Sequence, residues 1–414
     1  MRIARWVLGI AGAVVLLAVA TVLVATLVIN PDRYKGEIES AVRRETGRPF
    51  ALEGHLRLTW YPWLGVRTGT ARLGNLPGTG GPDLLDWQSA AVRVRLLPLL
   101  LHHQLEVGRV RIVGADIHLR RGPHGHGSWD DLLARLRSRQ TRAMPASARG
   151  GSASTAWPAT LAGLDLEKSS LEYVDERSHE HVRLAGWKFV VGPYRAGKPL
   201  SVRTSFVLHV DGAGQNASAA GIGALRLPAA GVRVSFEAPR LQLHPTPFEI
   251  SAPQWSLQLA DAKLQGAIDA SRDAAGVVAS GSLKAAVPSL RTLAHALGVG
   301  IPTIRDPAAL GALALSASWS DRNGALEVEP LAAKLDSTRL TGWIARSGSP
   351  KPQWTFALRA NQVDFGHYLT RSGRHKPLEL PLSALQALRA QGTLRLGRAR
   401  IHGAILSDVR LQVR

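Results

Sequence analysis

Apolar and polar side chains alternate with a period of two along most of this 414-residue chain. Successive segments can therefore each put one face on apolar material and the other in water. Phe50, Leu52, Leu56 and Leu58 alternate with Ala51, Glu53, His55 and Arg57; Val92, Val94 and Leu96 alternate with Arg93 and Arg95; Val110 and Ile112 stand against Arg109 and Arg111; Ile117 and Leu119 flank His118. Further runs of this kind fall near 164–173, 181–191, 201–210, 232–243, 255–270, 279–287, 311–319, 338–345, 353–360, 392–401 and 405–413. The pattern predicts a mainly β protein of many short antiparallel strands. A flat sheet would leave its apolar face in water, so the strands must curl, pair with a second layer, close, or fold lengthwise into a trough whose inner face lipid chains could cover. Periodicity does not choose among these.

The rhythm is broken in a few places. Trp6 to Ile29 is an uncharged run of 24 residues; at 1.5 Å per residue it reaches about 36 Å, enough for a hydrocarbon layer of roughly 30 Å. Arg2 and Arg5, with the amino terminus, favour a cytoplasmic N-terminus and place the rest of the chain across the membrane. Ala18-Val19-Ala20 has the small-x-small spacing of a signal-peptidase site. Cleavage there would leave the apolar Thr21 to Ile29 on the mature terminus, so an uncleaved anchor is the simpler reading. Asn30 and Pro31 stand where a cap and a first-turn proline belong, Ile38 and Val42 form a short apolar stripe, and Gly47 stops the helix. The basic Arg43, Arg44 and Arg48 either meet lipid headgroups or solvate the last turn. Ser128 to Leu133 predicts a brief helix, 137–158 a loop or linker rich in small residues, and Pro288 to Leu297 a short amphipathic helix ended by Gly298.

Charge changes the picture little. Lys and Arg number 51 against 31 Asp and Glu, a formal charge of +20 that draws anions, whether nucleic acid or acidic lipid. The arginines are spaced as outward positions on many strands and not on one groove-reading helix, and the expected topology also speaks against nucleic acid. With no Cys, disulfides, thiolate catalysis and Cys-bound metal are excluded.

Histidines are the nearest thing to an enzyme signal. His102 and His103 are adjacent, His124 and His126 sit in a Gly-rich stretch, and His179 and His181 flank Glu180. None comes with further ligands at zinc-site spacing. Asp130-Asp131 and Asp175-Glu176 are neighbours on local elements, not opposed carboxylates, and no nucleotide or hydrolase motif is present. The reading is of a non-enzyme without cofactor or metal.

The segment INPDRYKGEIESAVRRETGRPFALEGHLRLTWYPWLGVRTGTARLGN, from Ile29 to Asn75, resembles the AsmA family of bacterial envelope proteins. The anchor, the NPxxYK helix, the TGRxxxLEG stretch and the WxPWLG-like turn follow in the family's order. VRVRLLPLL at 92–100, VGADIHLRR through GSWDDLL at 113–133, the 290–311 block and GTLRLGRARIHGAILSDVRLQV at 392–413 agree as well. The resemblance implies an N-terminal transmembrane helix followed by an elongated, curled antiparallel β-groove with a few short helices. It also implies a groove that guides phospholipids between inner and outer membranes, with effects on outer-membrane integrity. The alternative is a non-catalytic structural or interaction protein that modulates outer-membrane protein assembly.

Carried onto this chain, the groove would be lined by Phe50, Leu52, Leu56, Leu58, Val92, Val94, Leu96, Val110 and Ile112. Tyr34, Lys35 and Gly47 would shape the membrane-proximal helix, and Trp60, Pro62, Trp63 and Gly65 the first hairpin at the groove entrance. The expected organisation is a cytoplasmic tail at 1–5, an inner-membrane anchor at 6–29, a first periplasmic groove segment at 30–136, the linker at 137–158 and a continued groove at 159–414. Expected partners are phospholipids, the inner membrane, and the outer membrane or another envelope protein. In the family the last matched stretch is usually followed by further strands, whereas this sequence stops at Arg414; a shorter variant, an incomplete chain or a partner-supplied edge would each account for that. At about 4.8 Å per strand, roughly 20 strands advance a groove on the order of 100 Å, which favours partial bridging or a tethered shuttle over a one-chain bridge.

Overall fold

The computed structural model describes residues 31–59, 63–76, 81–95, 106–135, 160–195, 197–211, 227–245, 248–273, 276–299, 301, 304, 306–348, 352–368, 389–401 and 404–413. The expected cytoplasmic tail, anchor and linker lie outside these residues. Among the described residues no helix is long and apolar enough to cross a membrane. The chain is mainly β and divides into two compact units, Met1–Ala196 and Gly197–Arg414. Residues 160–195 therefore belong with the first unit, because their strands return to pair with those before the expected linker.

The first unit opens with a 3-10 turn, Pro31–Tyr34, and helix α1, Lys35–Thr46. Gly47 ends the helix in the left-handed region at φ 72°, its N–H donating to Arg43 O at 2.8 Å, as a residue without Cβ can do at least cost. Strands β1 (Phe50–Leu52), β2 (Arg57–Thr59), β3 (Trp63–Thr68), β4 (Ala71–Leu73), β5 (Leu85–Trp87), β6 (Ser89–Arg95), β7 (Glu106–Val107), β8 (Val110–Val113) and β9 (Asp116–Arg121) follow. After them come β10 (Thr160–Leu161), β11 (Leu164–Asp175), β12 (Glu180–Val191) and β13 (Tyr194–Arg195). The core of this unit is Phe50, Leu52, Leu56 and Ala71, roofed by Ile38 and Val42 of α1 and flanked by Val66, Leu73 and Trp87. Each large side chain so buried contributes about 1.5–3 kcal/mol.

Arg48, two residues before β1, is 1% exposed. Its guanidinium pairs with Asp131, donates to Ser128 O, and lies 3.4 Å from Gly74 O. Arg48 is thus a buried clamp holding the helix that starts at Asp130, which corrects both expectations for it, headgroup contact and solvated last turn; Arg43 and Arg44 remain exposed.

The second unit is a run of long strands: β14 (Leu200–Asp211), β15 (Val232–Pro245), β16 (Phe248–Leu259), β17 (Ala262–Asp273), β18 (Gly276–Val287), β19 (Leu313–Arg322), β20 (Ala325–Leu335), β21 (Thr338–Arg346), β22 (Trp354–Asp364), β23 (Ala390–Ile401) and β24 (Ala404–Val413). Each pairs with the next. Helix α2, Leu290–Ala296, is capped by Ser289, whose side chain accepts from the Thr292 N–H.

The pairing is not purely antiparallel as expected. β7–β10, β8–β11, β9–β11 and β22–β23 are parallel. A parallel partner needs a long return path, and the chain supplies one between Arg121 and Thr160 and another between Asp364 and Ala390.

Candidate functional site

The second unit keeps apolar residues in line across its whole sheet. One register row runs Phe236, Leu257, Leu264, Ala285, Leu315, Ala333, Leu340, Ala360, Leu396 and Val409, one residue from each of the strands β15 to β24, with the polar Thr204 of β14 at its edge. The next row from β16 onward is Trp255, Gly266, Leu283, Ala317, Leu331, Gly342, Leu358, Leu394 and Leu411. Neighbours on the alternate face are polar: Ser256, Gln265, Lys284 and Ser316 follow one another in register.

This apolar face is not filled. Leu257, Leu264, Leu283, Leu315, Leu331, Leu340 and Leu358 are only half-buried, and in these rows full burial is reached at Ala360 and Leu396, where a small cluster with Ala399, Val363 and Phe365 forms. Among the described residues the unit's helical pieces are α2 and the 3-10 turn Phe365–Tyr368, both too short to roof eleven long strands. In a two-layer sandwich the same rows would be buried by the opposing sheet.

Three aromatic side chains on this face lie over glycines of the adjacent strand. Trp319 sits opposite Gly281 with its indole Cζ2 3.0 Å from where a Cβ would be, and Trp255 sits opposite Gly266 at 3.1 Å. Phe356 covers Gly392 in the same way. An aromatic ring laid over the glycine of an adjacent strand covers exposed backbone.

Bulges preserve the face where the sequence would lose it. In β16 the apolar positions shift from Ile250 and Ala252 to Trp255 and Leu257, and the register slips between Ala252 and Trp255, beside Pro253. In β20 they shift from Val328 to Leu331, with the slip at Pro330. A bulge adds one residue to one strand, which restores the side-chain direction, and it tolerates proline because the ladder bond is already interrupted.

Beside α2 the unit has a polar knot. Asp336 accepts from Leu310 N–H at 3.1 Å, Gly311 N–H at 2.9 Å and Tyr368 OH at 2.9 Å. Burial, and then the hydrogen bond to Asp336, push the Tyr368 hydroxyl up to about 12. Asp306, held by the Ala308 N–H and by His367, lies below the usual carboxylate range. These bonds fix the turn between α2 and β19.

In the first unit the expected groove residues part into two sets. Phe50, Leu52 and Leu56 are packed core under α1 and offer no open surface, a correction whose cause is the helix that roofs them. Leu58, Val92, Val110 and Ile112 do share a face: Leu58 pairs with Val66, Val66 with Val92, Val110 with Leu164 and Ile112 with Leu166. Val94 pairs with Leu64 and Val107 in backbone register, and Leu96 lies outside the described residues. At the proposed entrance, Tyr34 is 51% exposed, Lys35 pairs with Asp32 at 3.2 Å, Gly47 caps α1, Trp63 opens β3 and Gly65 is buried. Trp60 and Pro62 lie outside the described residues.

Asp32 joins this region to the first strands: it pairs with His55 at 2.8 Å and accepts from Leu56 N–H at 2.8 Å, and these bonds hold its carboxyl well below the usual range. Asp86 and Asp116 face each other between β5 and β9, and burial followed by the Asp116 charge raises Asp86. His181 contacts Glu172 at 2.7 Å. Among the described residues no cluster of three or more His, Asp or Glu could hold a metal ion.

The fold defines a mainly β protein built on a large mixed sheet, whose second unit carries, among the described residues, a long half-buried apolar face backed by a polar one. Within that class the chain belongs to the AsmA family, whose profile matches residues 1–379. No curated protein and no solved structure matches the chain.

Proposed function

We propose that the apolar face of the second unit binds phospholipid acyl chains. In this reading the protein is an inner-membrane-anchored envelope protein that helps phospholipids pass between inner and outer membranes. The observation that carries the reading is the set of register-matched apolar rows across β16 to β24, half-buried and without a second layer among the described residues. Covering such a face recovers about 25 cal/mol for every Å² of apolar surface removed from water. Acyl chains suit it because they need no hydrogen-bonding partner, and a row repeated strand after strand offers many similar contacts in place of one tight pocket. Headgroups would stay at the open rim in water. No residue need react with the lipid, so the protein acts as a non-enzyme without cofactor.

The test is photocrosslinking in cells, with a benzophenone amino acid at Leu315, Leu331 or Leu358 of the full chain and mass spectrometry of the products. The expected adducts are phospholipids at all three positions, and none at Lys284 or Ser316 on the alternate face. Crosslinks from the apolar face to protein alone would reject lipid carriage and favour a role in outer-membrane protein assembly through an envelope partner.

A further inference from the structure

The polar face of the first unit gathers arginines into a hollow. In one register row Arg57 stands opposite Arg67, Arg67 opposite Ala91, Ala91 opposite Arg111, and Arg111 opposite Asp165. Arg93, one step along β6, pairs with Gly65 and accepts from Gly108 N–H through its carbonyl at 2.6 Å. Arg67, Arg93, Arg109 and Arg111 wall a cleft of about 350 Å³ whose floor is made of Ala91, Gly108 and Ala162.

Counter-charge is short. Asp165 is buried and takes Arg109 at 3.0 Å and Arg111 at 3.7 Å. Arg57, Arg67 and Arg93 are exposed and make no ion pair with a described acidic residue. Like charges set directly opposite each other on adjacent strands are destabilising, so the Arg57–Arg67 pair and its neighbours cost the fold stability unless an anion sits among them. Small residues on the floor let such an anion approach the backbone, and the guanidinium planes come from β3, β6 and the β7–β8 segment.

We propose that this cleft is a binding site for a phosphate group, carried by a lipid headgroup or free in solution. A carboxylate presents two oxygens in one plane, whereas a phosphate offers oxygens in several directions and takes charge-assisted bonds from arginines on several sides at once. The site is independent of the acyl-chain reading, since its residues lie on the polar face of the first unit and would bind a soluble anion equally.

The experiment uses the full chain in an uncharged detergent, titrated at constant ionic strength with inorganic phosphate and with dihexanoyl phosphatidylglycerol, read by thermal shift and calorimetry. The wild type should gain melting temperature with either probe. Arg67→Gln with Arg93→Gln should bind both about tenfold or more weakly and should melt no lower than wild type without phosphate, because like-charge repulsion is relieved. Arg272→Gln with Arg322→Gln, exposed positions in the second unit that face no like charge across their strands, should leave both affinities within about twofold of wild type, which separates a site from general charge. Tighter binding of the lipid than of inorganic phosphate assigns the site to a headgroup, and equal binding assigns it to free phosphate. Unchanged binding in the Arg67 and Arg93 variant, or equal loss in the control variant, overturns the proposal.

Discussion

Trp319 lies across Gly281 on the neighbouring strand, its indole Cζ2 3.0 Å from the point where a side chain on Gly281 would begin. The absence of a Cβ at 281 is what lets the ring lie there. A valine at 281 would collide with the indole and with the Ala267 carbonyl behind it. Gly281→Val should cost about 1–3 kcal/mol, the range of overpacked sites, and should reduce lipid crosslinking at Leu331, which pairs with Ala317 two residues from Trp319. Unchanged urea stability would mean that the Trp319 ring relaxes freely and does not shape the face.

Arg48 and Asp131 give a sharper stability prediction. Arg48 is 1% exposed, so removing Asp131 leaves a buried charge without its carboxylate. Asp131→Ala should cost about 3–5 kcal/mol. Arg48→Met with Asp131→Leu should recover much of that loss, since neither charge is then buried. A double variant less stable than the single one in urea would place the cost in side-chain shape and not in the orphaned charge.

Much of the β architecture was legible because alternation survives wherever strands are regular: the predicted runs near 181–191, 201–210 and 405–413 fall within β12, β14 and β24. The run near 255–270 is two strands, β16 and β17, joined at Ala260 with φ 50° and Asp261. A tight turn between equally apolar flanks leaves no break in the pattern. β20 went unread because Glu327, Glu329 and Pro330 interrupt the alternation, and the bulge at Pro330 reverses parity midway. A period-two reading assumes constant parity and loses a strand that changes it. Alternation puts Phe50, Leu52 and Leu56 on an apolar face but does not say what covers that face, and here α1 does, so they are core and not groove. The Trp319–Gly281 and Trp255–Gly266 pairs depend on register between strands, which single-strand patterns do not contain.

Leu315 tests the apolar rows directly. It lies in register between Ala285 and Ala333, small neighbours that leave a carboxylate room to reach water along the open face. Leu315→Asp should therefore keep the fold, at a cost of about 1–3 kcal/mol, and should lower lipid crosslinking at Leu331 about fivefold or more through the lost apolar contact. Ser316→Asp, on the alternate face, should change neither. Equal lipid yields from the two variants, with both folded by thermal melting, would remove the rows from the mechanism.

The polar knot beside α2 predicts behaviour in base. Tyr368 donates to Asp336 at 2.9 Å, and burial together with that bond raises its hydroxyl to about 12, against about 10 in an unfolded chain. The folded state thus holds the phenolic proton more tightly, so the stabilisation is complete below about pH 10 and drains away as pH rises toward about 12. Tyr368→Phe lacks this proton, so the gap in melting temperature between wild type and variant should stay constant up to about pH 10 and then narrow. Tyr173 is also raised, chiefly by burial and then by Asp175, so the ionisation itself is best read as the ultraviolet difference between wild type and variant. A tyrosinate difference appearing near pH 10 would show that the hydroxyl is not bonded to Asp336, and the turn between α2 and β19 would then have to be held by the Leu310 and Gly311 amides alone.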